Sequence, residues 1–260
     1  MRFRSLGSGS SGNATLVEAR SGDSVTRVLL DCGFSLRELE TRLLTEALLP
    51  TDLNAVFITH EHGDHVGCAL SLARKHRVPL WMSRGTWRAL GAPDLPELIH
   101  FARDGALIDT GHLQLQPYTV PHDALEPLQI CFTDGQSRLG VLTDAGMATE
   151  HLLAHLQNCN ALLLECNHDS GMLARSRYPE SLKRRIAGRL GHLSNDTSAR
   201  ILAACVHAGL RDVVAAHLSE QNNSAELALG ALAESAAGYR VRLQAANGPS
   251  GFDWTEVRAA

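Results

Sequence analysis

Short apolar runs closed by glycine or aspartate alternate along this chain with longer amphipathic stretches. Residues 3–6 and 14–19 read as strands around a loop, Gly7 to Asn13, that is too rich in glycine for regular structure. Val28 to Leu30 makes another strand, Leu36 to Leu49 a helix, and Ala55 to Ile58 a strand again. A strand with Leu113, Leu115, Tyr118 and Val120 ends at His122, and Gln129–Thr133 pairs with Leu139–Thr143 in a hairpin around Asp134 and Gly135. Ala148 to Leu156 is helical, Asn160 to Leu164 is a strand, and the strand Arg211 to Ala216 ends at His217. Two alanine-rich segments, Thr197 to Ala208 and Ser224 to Ala237, are helices, the first entered from Asn195 and Asp196 as a cap. Alternation of this kind predicts an α/β layer protein.

A faint duplication runs through the pattern. VLLDCG at 28–33 is echoed by VLTDAG at 141–146, and Asn54–Ile58 by Asn160–Leu164. Each half reads strand, Asp-x-Gly turn, helix, strand, loop. The carboxylates of Asp31 and Asp144 thus stand at strand ends, and halves packed face to face would bring both rims to one edge.

In the first half the loop is THEHGDH, Thr59 to His65, directly after the apolar run. His60, His62, Asp64 and His65 offer the nitrogen and carboxylate ligands that a borderline divalent ion accepts. His60 and His62 would face one ion, Asp64 and His65 a second beside it. Such a pair needs further ligands, and strand-end residues are the candidates: His122, Asp144 and His217. His76, His100, His151, His155 and His207 lie in helical or polar stretches and read as structural, and His112 sits at the wrong end of its strand.

Length and composition set the frame without changing it. At 260 residues, 44% hydrophobic and 20% charged, the chain suits one globular domain spanning 1–260. Six scattered cysteines without a CxxC pair read as reduced core residues and a cytoplasmic protein. No signal peptide is expected at the amino terminus, and no run approaches the roughly 18 apolar residues of a membrane span. The net charge of -4 weighs mildly against nucleic acid, but it hides a local excess. Between Arg175 and Arg189 lie Arg175, Arg177, Lys183, Arg184, Arg185 and Arg189 against Glu180 alone. Arg184 and Arg185 are the candidate phosphate contacts in a track with little sequence preference, and Tyr178 is the one evident stacking residue.

The HxHxDH loop, followed in order by His122, Asp144 and His217 and preceded by Asp31-x-Gly33, resembles the metallo-β-lactamase fold superfamily. Five phrases, SGSSGN at 8–13, LDCGFS at 30–35, VPHDA at 120–124, ECNHD at 165–169 and GHLSN at 191–195, are similar to the YycJ (WalJ) group. Members of that group act as DNA exonucleases, and RNase Z is a more distant relation. The resemblance implies a four-layer αββα sandwich with two divalent ions, Zn²⁺ or Mn²⁺, at one edge of the sheets. It implies His60, His62 and His122 on the first ion, Asp64, His65 and His217 on the second, Asp144 bridging, and Asp31 steadying the ligand loop from behind. Two ions about 3.5–4 Å apart can share a water and draw its pKa towards neutrality, with Asp64 orienting it. His192, by likeness to an RNase Z segment, is the expected general acid, with Ser194, Asn195 and His168 as substrate contacts. The implied activity is a dinuclear-metal phosphodiesterase on nucleic acid, a 5′-to-3′ DNA exonuclease with no membrane partner. The alternative is a hydrolase of a small phosphodiester or ester, RNase Z-, PhnP- or lactamase-like, disfavoured slightly because no long insertion stands out as a roof.

Overall fold

The computed structural model describes residues 1–259. Its first half runs through β1 (Arg2–Gly7), β2 (Ala14–Ser21), β3 (Ser24–Leu30), α1 (Leu36–Thr45), β4 (Ala55–Phe57), α2 (Gly63–Val66), α3 (Ala69–His76), β5 (Leu80–Met82), α4 (Arg84–Ala89) and β6 (Ile99–Phe101). A crossover leads to β7 (Ile108–Asp109), β8 (Gln114–Thr119), β9 (Leu128–Thr133) and β10 (Arg138–Leu142). Then come α5 (Glu150–Leu156), β11 (Ala161–Glu165), α6 (Ser170–Arg175), α7 (Glu180–Ile186), α8 (Asn195–Cys205), β12 (Asp212–Ala216), α9 (Ala225–Ser235), β13 (Arg242–Ala245) and β14 (Phe252–Glu256).

Two seven-stranded sheets result, ordered β14-β1-β2-β3-β4-β5-β6 and β13-β12-β11-β10-β9-β8-β7. Each is antiparallel on one side and parallel on the other, the change falling at β3 and at β10. The duplication seen in the sequence is therefore a duplication of topology. Burial follows the two-residue period of the strands. Val17, Val28, Phe57, Ile130, Val141, Leu163 and Val214 face the other sheet in a shared central core. Their neighbours Leu16, Leu29 and Val56 face outward beneath α1 and α3. Leu162, Leu164, Val213 and Ala215 do the same beneath α5, α8 and α9. Strands buried on both faces lose their polar alternation, which is why they read as short apolar runs. Helix, sheet, sheet, helix is the αββα sandwich expected.

Several boundaries differ from expectation for identifiable reasons. α1 stops at Thr45 rather than Leu49, because Ala47 turns left-handed (φ 55) and Leu49 is extended (ψ 156) ahead of Pro50. α8 is capped by Ser194, whose hydroxyl accepts from Thr197 N at 3.3 Å, so Asn195 and Asp196 lie inside the helix. The chain at 63–66 is a helical turn, α2, rather than irregular loop. All six cysteines are buried, with the Cys32 and Cys68 sulfurs 3.3 Å apart. Among the described residues no helix is long and apolar enough to cross a membrane.

Candidate metal centre

Strand ends supply the site. β4 delivers the buried Thr59 and His60 to the rim, and His62 then opens α2, which presents Asp64 and His65 from a single turn. β3 runs parallel to β4 with Leu30 beside Phe57, so Asp31 arrives next to Thr59. Its carboxylate accepts from Thr59 N at 2.9 Å, from Thr59 Oγ1 at 3.0 Å and from His65 Nδ1 at 2.7 Å. That bond keeps the His65 proton on Nδ1 and turns Nε2 inward, the usual way a carboxylate aims a metal-binding imidazole. Asp144 follows β10, and His217 follows β12. Asp31, Asp144 and His217 all turn left-handed, with φ of 60, 53 and 55. Aspartate tolerates this with little cost, whereas at histidine it is backbone strain of the kind that collects at functional sites.

The glycine of each Asp-x-Gly turn lets a loop press close. A Cβ on Gly33 would lie 1.8 Å from the Asp64 carbonyl oxygen, and one on Gly146 would lie 2.3 Å from that of Arg189. The repeated motif thus seats the THEHGDH loop in one half and the GHLSN loop in the other.

Imidazole nitrogens of three histidines converge. His60 Nε2 is 3.0 Å and His122 Nε2 is 3.3 Å from His62 Nδ1. His122 spends its Nδ1 proton on the Gly191 carbonyl at 3.1 Å, leaving the Nε2 lone pair towards the others. Four ligands about 2.0–2.1 Å from a tetrahedral zinc stand about 3.3 Å from one another, so this spacing fits an ion. Next to it, Asp64 Oδ2 lies 3.7 Å from His65 Nε2 and 3.6 Å from His217 Nε2. Asp144 stands between, Oδ2 3.0 Å from His65 Nε2 and Oδ1 3.3 Å from His217 Nδ1. Although that first approach is short, Asp144 Oδ2 makes no hydrogen bond, and neither does His217 Nε2; both are buried. Buried polar atoms left without partners in such a cluster are what a divalent cation would satisfy, displacing any proton on the imidazole.

The electrostatics agree. Asp31, Asp144 and Glu165 are all within 3% of full burial. Burial opposes a charge on His217, yet the nearby carboxylates of Asp144, Asp64 and Glu165 raise its pKa to about 10. His65 is raised in the same way, with Asp144 and Asp31 overriding burial. Burial and the His65 charge hold His60 well down, and burial lowers His122. Burial alone would keep Asp144 neutral, but the His217 and His65 charges hold it well below the usual carboxylate range. The pocket is a buried negative field that asks for positive charge.

The family model described as the beta-lactamase superfamily domain matches residues 26–218. The chain belongs to that superfamily. It is 32% identical over 231 residues to the exodeoxyribonuclease YycJ of Bacillus anthracis, covering 88% of this chain and 86% of that one. It is 33% identical over 233 residues to the exodeoxyribonuclease WalJ of Streptococcus pneumoniae, covering 87% and 85%. The chain is thus a YycJ/WalJ-like protein of the metallo-β-lactamase fold and a metal-dependent hydrolase. A solved structure, the metallo-β-lactamase fold protein YhfI from Bacillus subtilis, superposes with a TM-score of 0.73 at 16% identity, covering 98% of this chain and 99% of that one; it bears on fold alone.

The remaining expected site residues divide. His192 lines the same pocket, a cavity of about 410 Å³. Arg185 lines it too, bound to Asp123 at 2.7 Å. Arg184 does not: it points with Lys183 and His168 into a separate shallow cavity on the other side of α7. His168 is buried and pairs by a backbone bridge with Ser194, away from the pocket lining. Ser194 is spent on the α8 cap, and Asn195 is buried against Asn223 at 2.9 Å. These three support the rim rather than reach the cavity. Tyr178, Leu182, Arg185 and Ile186, between β11 and α8, form one wall of the cavity.

Glu165 is the residue whose role the sequence did not disclose. It ends β11 fully buried and accepts from His192 Nδ1 at 2.8 Å and from Ala145 N at 3.0 Å. A carboxylate closing an entirely apolar strand was the available signal, the same one that marks Asp144. A larger cavity, about 820 Å³, is lined by Arg211 and Asp212 at the far end of β12 from His217, and it holds none of this chemistry.

Proposed function

We propose that this single-domain protein is a nuclease that shortens DNA from the 5′ end in the cytoplasm, working with two divalent ions. The observation that carries the reading is the convergence of His60, His62, Asp64, His65, His122, Asp144 and His217 on one rim. Support for the substrate comes from two relatives at 32–33% identity whose names are exodeoxyribonucleases. The grouping of the side chains supports the roles that the resemblance implies. His60, His62 and His122 would hold one ion, Asp64, His65 and His217 the other, and Asp144 both. When bound, such a pair supplies a nucleophilic water at neutral pH and neutralises charge on the phosphoryl oxygens.

The chain's own groups do the rest. Asp64, the least buried of the acidic ligands, can accept a hydrogen bond from the attacking water and orient it in line with phosphorus. His192 has Nδ1 tied to Glu165, whose charge favours the imidazolium against burial; in that form Nε2 can hand its proton to the departing 3′-oxygen. Arg185 can meet a phosphate at the mouth, and Tyr178 can cover a base at the end of the strand. Asp31 and Glu165 keep two imidazoles in their working tautomers.

A cavity of about 410 Å³ with a wall from the β11–α8 segment gives a second reading some weight: a small phosphodiester would fit it. One assay separates them. Purified protein with Mn²⁺ or Zn²⁺ is offered end-labelled single- and double-stranded DNA, RNA, and bis-p-nitrophenyl phosphate. Mononucleotides released progressively from 5′-labelled DNA, and lost on chelation, are expected. Turnover confined to the nitrophenyl ester would give the site to a small substrate, and full activity after exhaustive chelation would remove the metal reading.

A further inference from the structure

Away from this rim's ligand set, three groups meet that none of the roles above uses. His151 and His155 sit one helical turn apart on α5, so their rings project from the same face. Facing them is Asp104, in the crossover that carries the chain from β6 of one sheet to β7 of the other. A ligand atom from each of the three lies within 4.8 Å of the other two. His151 Nε2 is 2.9 Å from Asp104 Oδ2, and the His151 and His155 ring centroids are 4.7 Å apart at 72°.

An ordinary surface ion pair would account for Asp104 and His151 alone. It does not account for the rest of the arrangement. Asp104 is held in place from behind, accepting from Thr119 Oγ1 at 2.6 Å and Thr119 N at 3.1 Å through Oδ2. Its Oδ1 makes no hydrogen bond among the described residues. The His155 ring is fixed by stacking on the buried Tyr118, centroids 4.8 Å apart at 10°, and neither of its nitrogens has a hydrogen-bond partner among the described residues. Two imidazoles and a braced carboxylate, partly open to solvent, form one face of a coordination sphere and leave the other positions for water.

We propose that Asp104, His151 and His155 form a separate surface site for a divalent late first-row transition ion, of which zinc is the test case. The ion would fasten the inter-sheet crossover to α5. Closing on it asks His155 and Asp104 to approach within the spacing of ligands that share a zinc, about 3.3 Å. With the ligand atoms already within 4.8 Å of one another, small side-chain shifts that keep the Thr119 and Tyr118 contacts close the gap. Zinc suits the donors, since imidazole and carboxylate both accept it, whereas magnesium and calcium prefer oxygen alone.

The test is zinc content. The whole protein, wild type and as His151→Gln, Asp104→Asn and the double variant His151→Gln with His155→Gln, is dialysed against buffered micromolar zinc and analysed for bound metal. Each variant is expected to carry one ion per chain fewer than wild type, while phosphodiester hydrolysis stays unchanged. Wild type should also resist proteolysis in the Asp104 crossover better with zinc than without it, and His151→Gln should lose that protection. Since His151 is 47% exposed on its side chain, its replacement leaves the fold alone even where loss of His155 loosens α5. Equal zinc in wild type and His151→Gln overturns the proposal, and so does an extra ion that binds only at millimolar zinc.

Discussion

Two buried carboxylates, Asp31 and Glu165, perform one task on opposite sides of the pocket: each takes the Nδ1 proton of an imidazole, His65 or His192, and so decides where the other nitrogen looks. The proposed proton donor can be isolated by changing the leaving group. His192→Ala is expected to slow DNA cleavage about 100-fold, while hydrolysis of bis-p-nitrophenyl phosphate stays near wild type because nitrophenolate departs without a proton. Equal losses on both substrates would make His192 a structural residue. At this scale the histidines and Asp144 were legible because they lie at strand ends or in the loop that directly follows one, a position readable from a few neighbouring residues. Glu165 ends a strand too, but its partner His192 lies 27 residues away, and no local pattern shows that the two meet. Ser194 and Asn195 were misread for the opposite reason. Polar residues before a helix serve as caps and buried partners as readily as they bind phosphate.

Among the elements, α7 shows how an unbroken run of charge in a sequence becomes two faces in space. Successive residues on a helix point about 100° apart, so Arg184 and Arg185 cannot both look into one cavity. Arg185 reaches the pocket and Asp123, and Arg184 lies on the other side. Arg185→Glu is therefore expected to weaken DNA binding about tenfold with metal content intact, by removing one phosphate contact and placing a like charge there. Arg184→Glu should cost far less, and equal effects in fluorescence anisotropy titrations would mean the strand runs over α7 instead of under it. The strands were easier to read than the helices. Their apolar runs are dictated by burial on both faces, whereas helix ends depend on φ at single residues such as Ala47 and on caps such as Ser194. The duplicated Asp-x-Gly turns were visible as a repeat, but their reason, close backbone approach to Asp64 and Arg189, exists only in three dimensions.

For the whole molecule, neighbouring strands of the first sheet are tied by charge as well as by core packing. Glu18 on β2 faces Arg2 on β1 and Arg27 on β3 in directly opposed cross-strand pairs. It is 2% exposed, with guanidinium nitrogens of Arg2, Arg20 and Arg27 at 2.8, 2.9 and 2.6 Å. Burial alone would raise its pKa, but the bonds from Arg20 and Arg27 and the charges around it lower it. A carboxylate whose folded pKa is depressed stabilises the fold above its unfolded value near 4.3, and that contribution disappears as pH falls through the folded value. Glu18→Gln should thus cost about 1–3 kcal/mol at neutral pH, with the gap to wild type narrowing below about pH 4. Thermal melts at both pH values decide it; a gap independent of pH would show that packing, not charge, is lost. The duplication has one more consequence. His60, His62, Asp64 and His65 come from one half of the chain, while His122, Asp144 and His217 come from the other, so neither half carries a complete cage. A chain still emerging from the ribosome would hold its ions only after the last imidazole has been made and both halves have closed, and an enzyme built to cut nucleic acid would stay inert throughout its own synthesis.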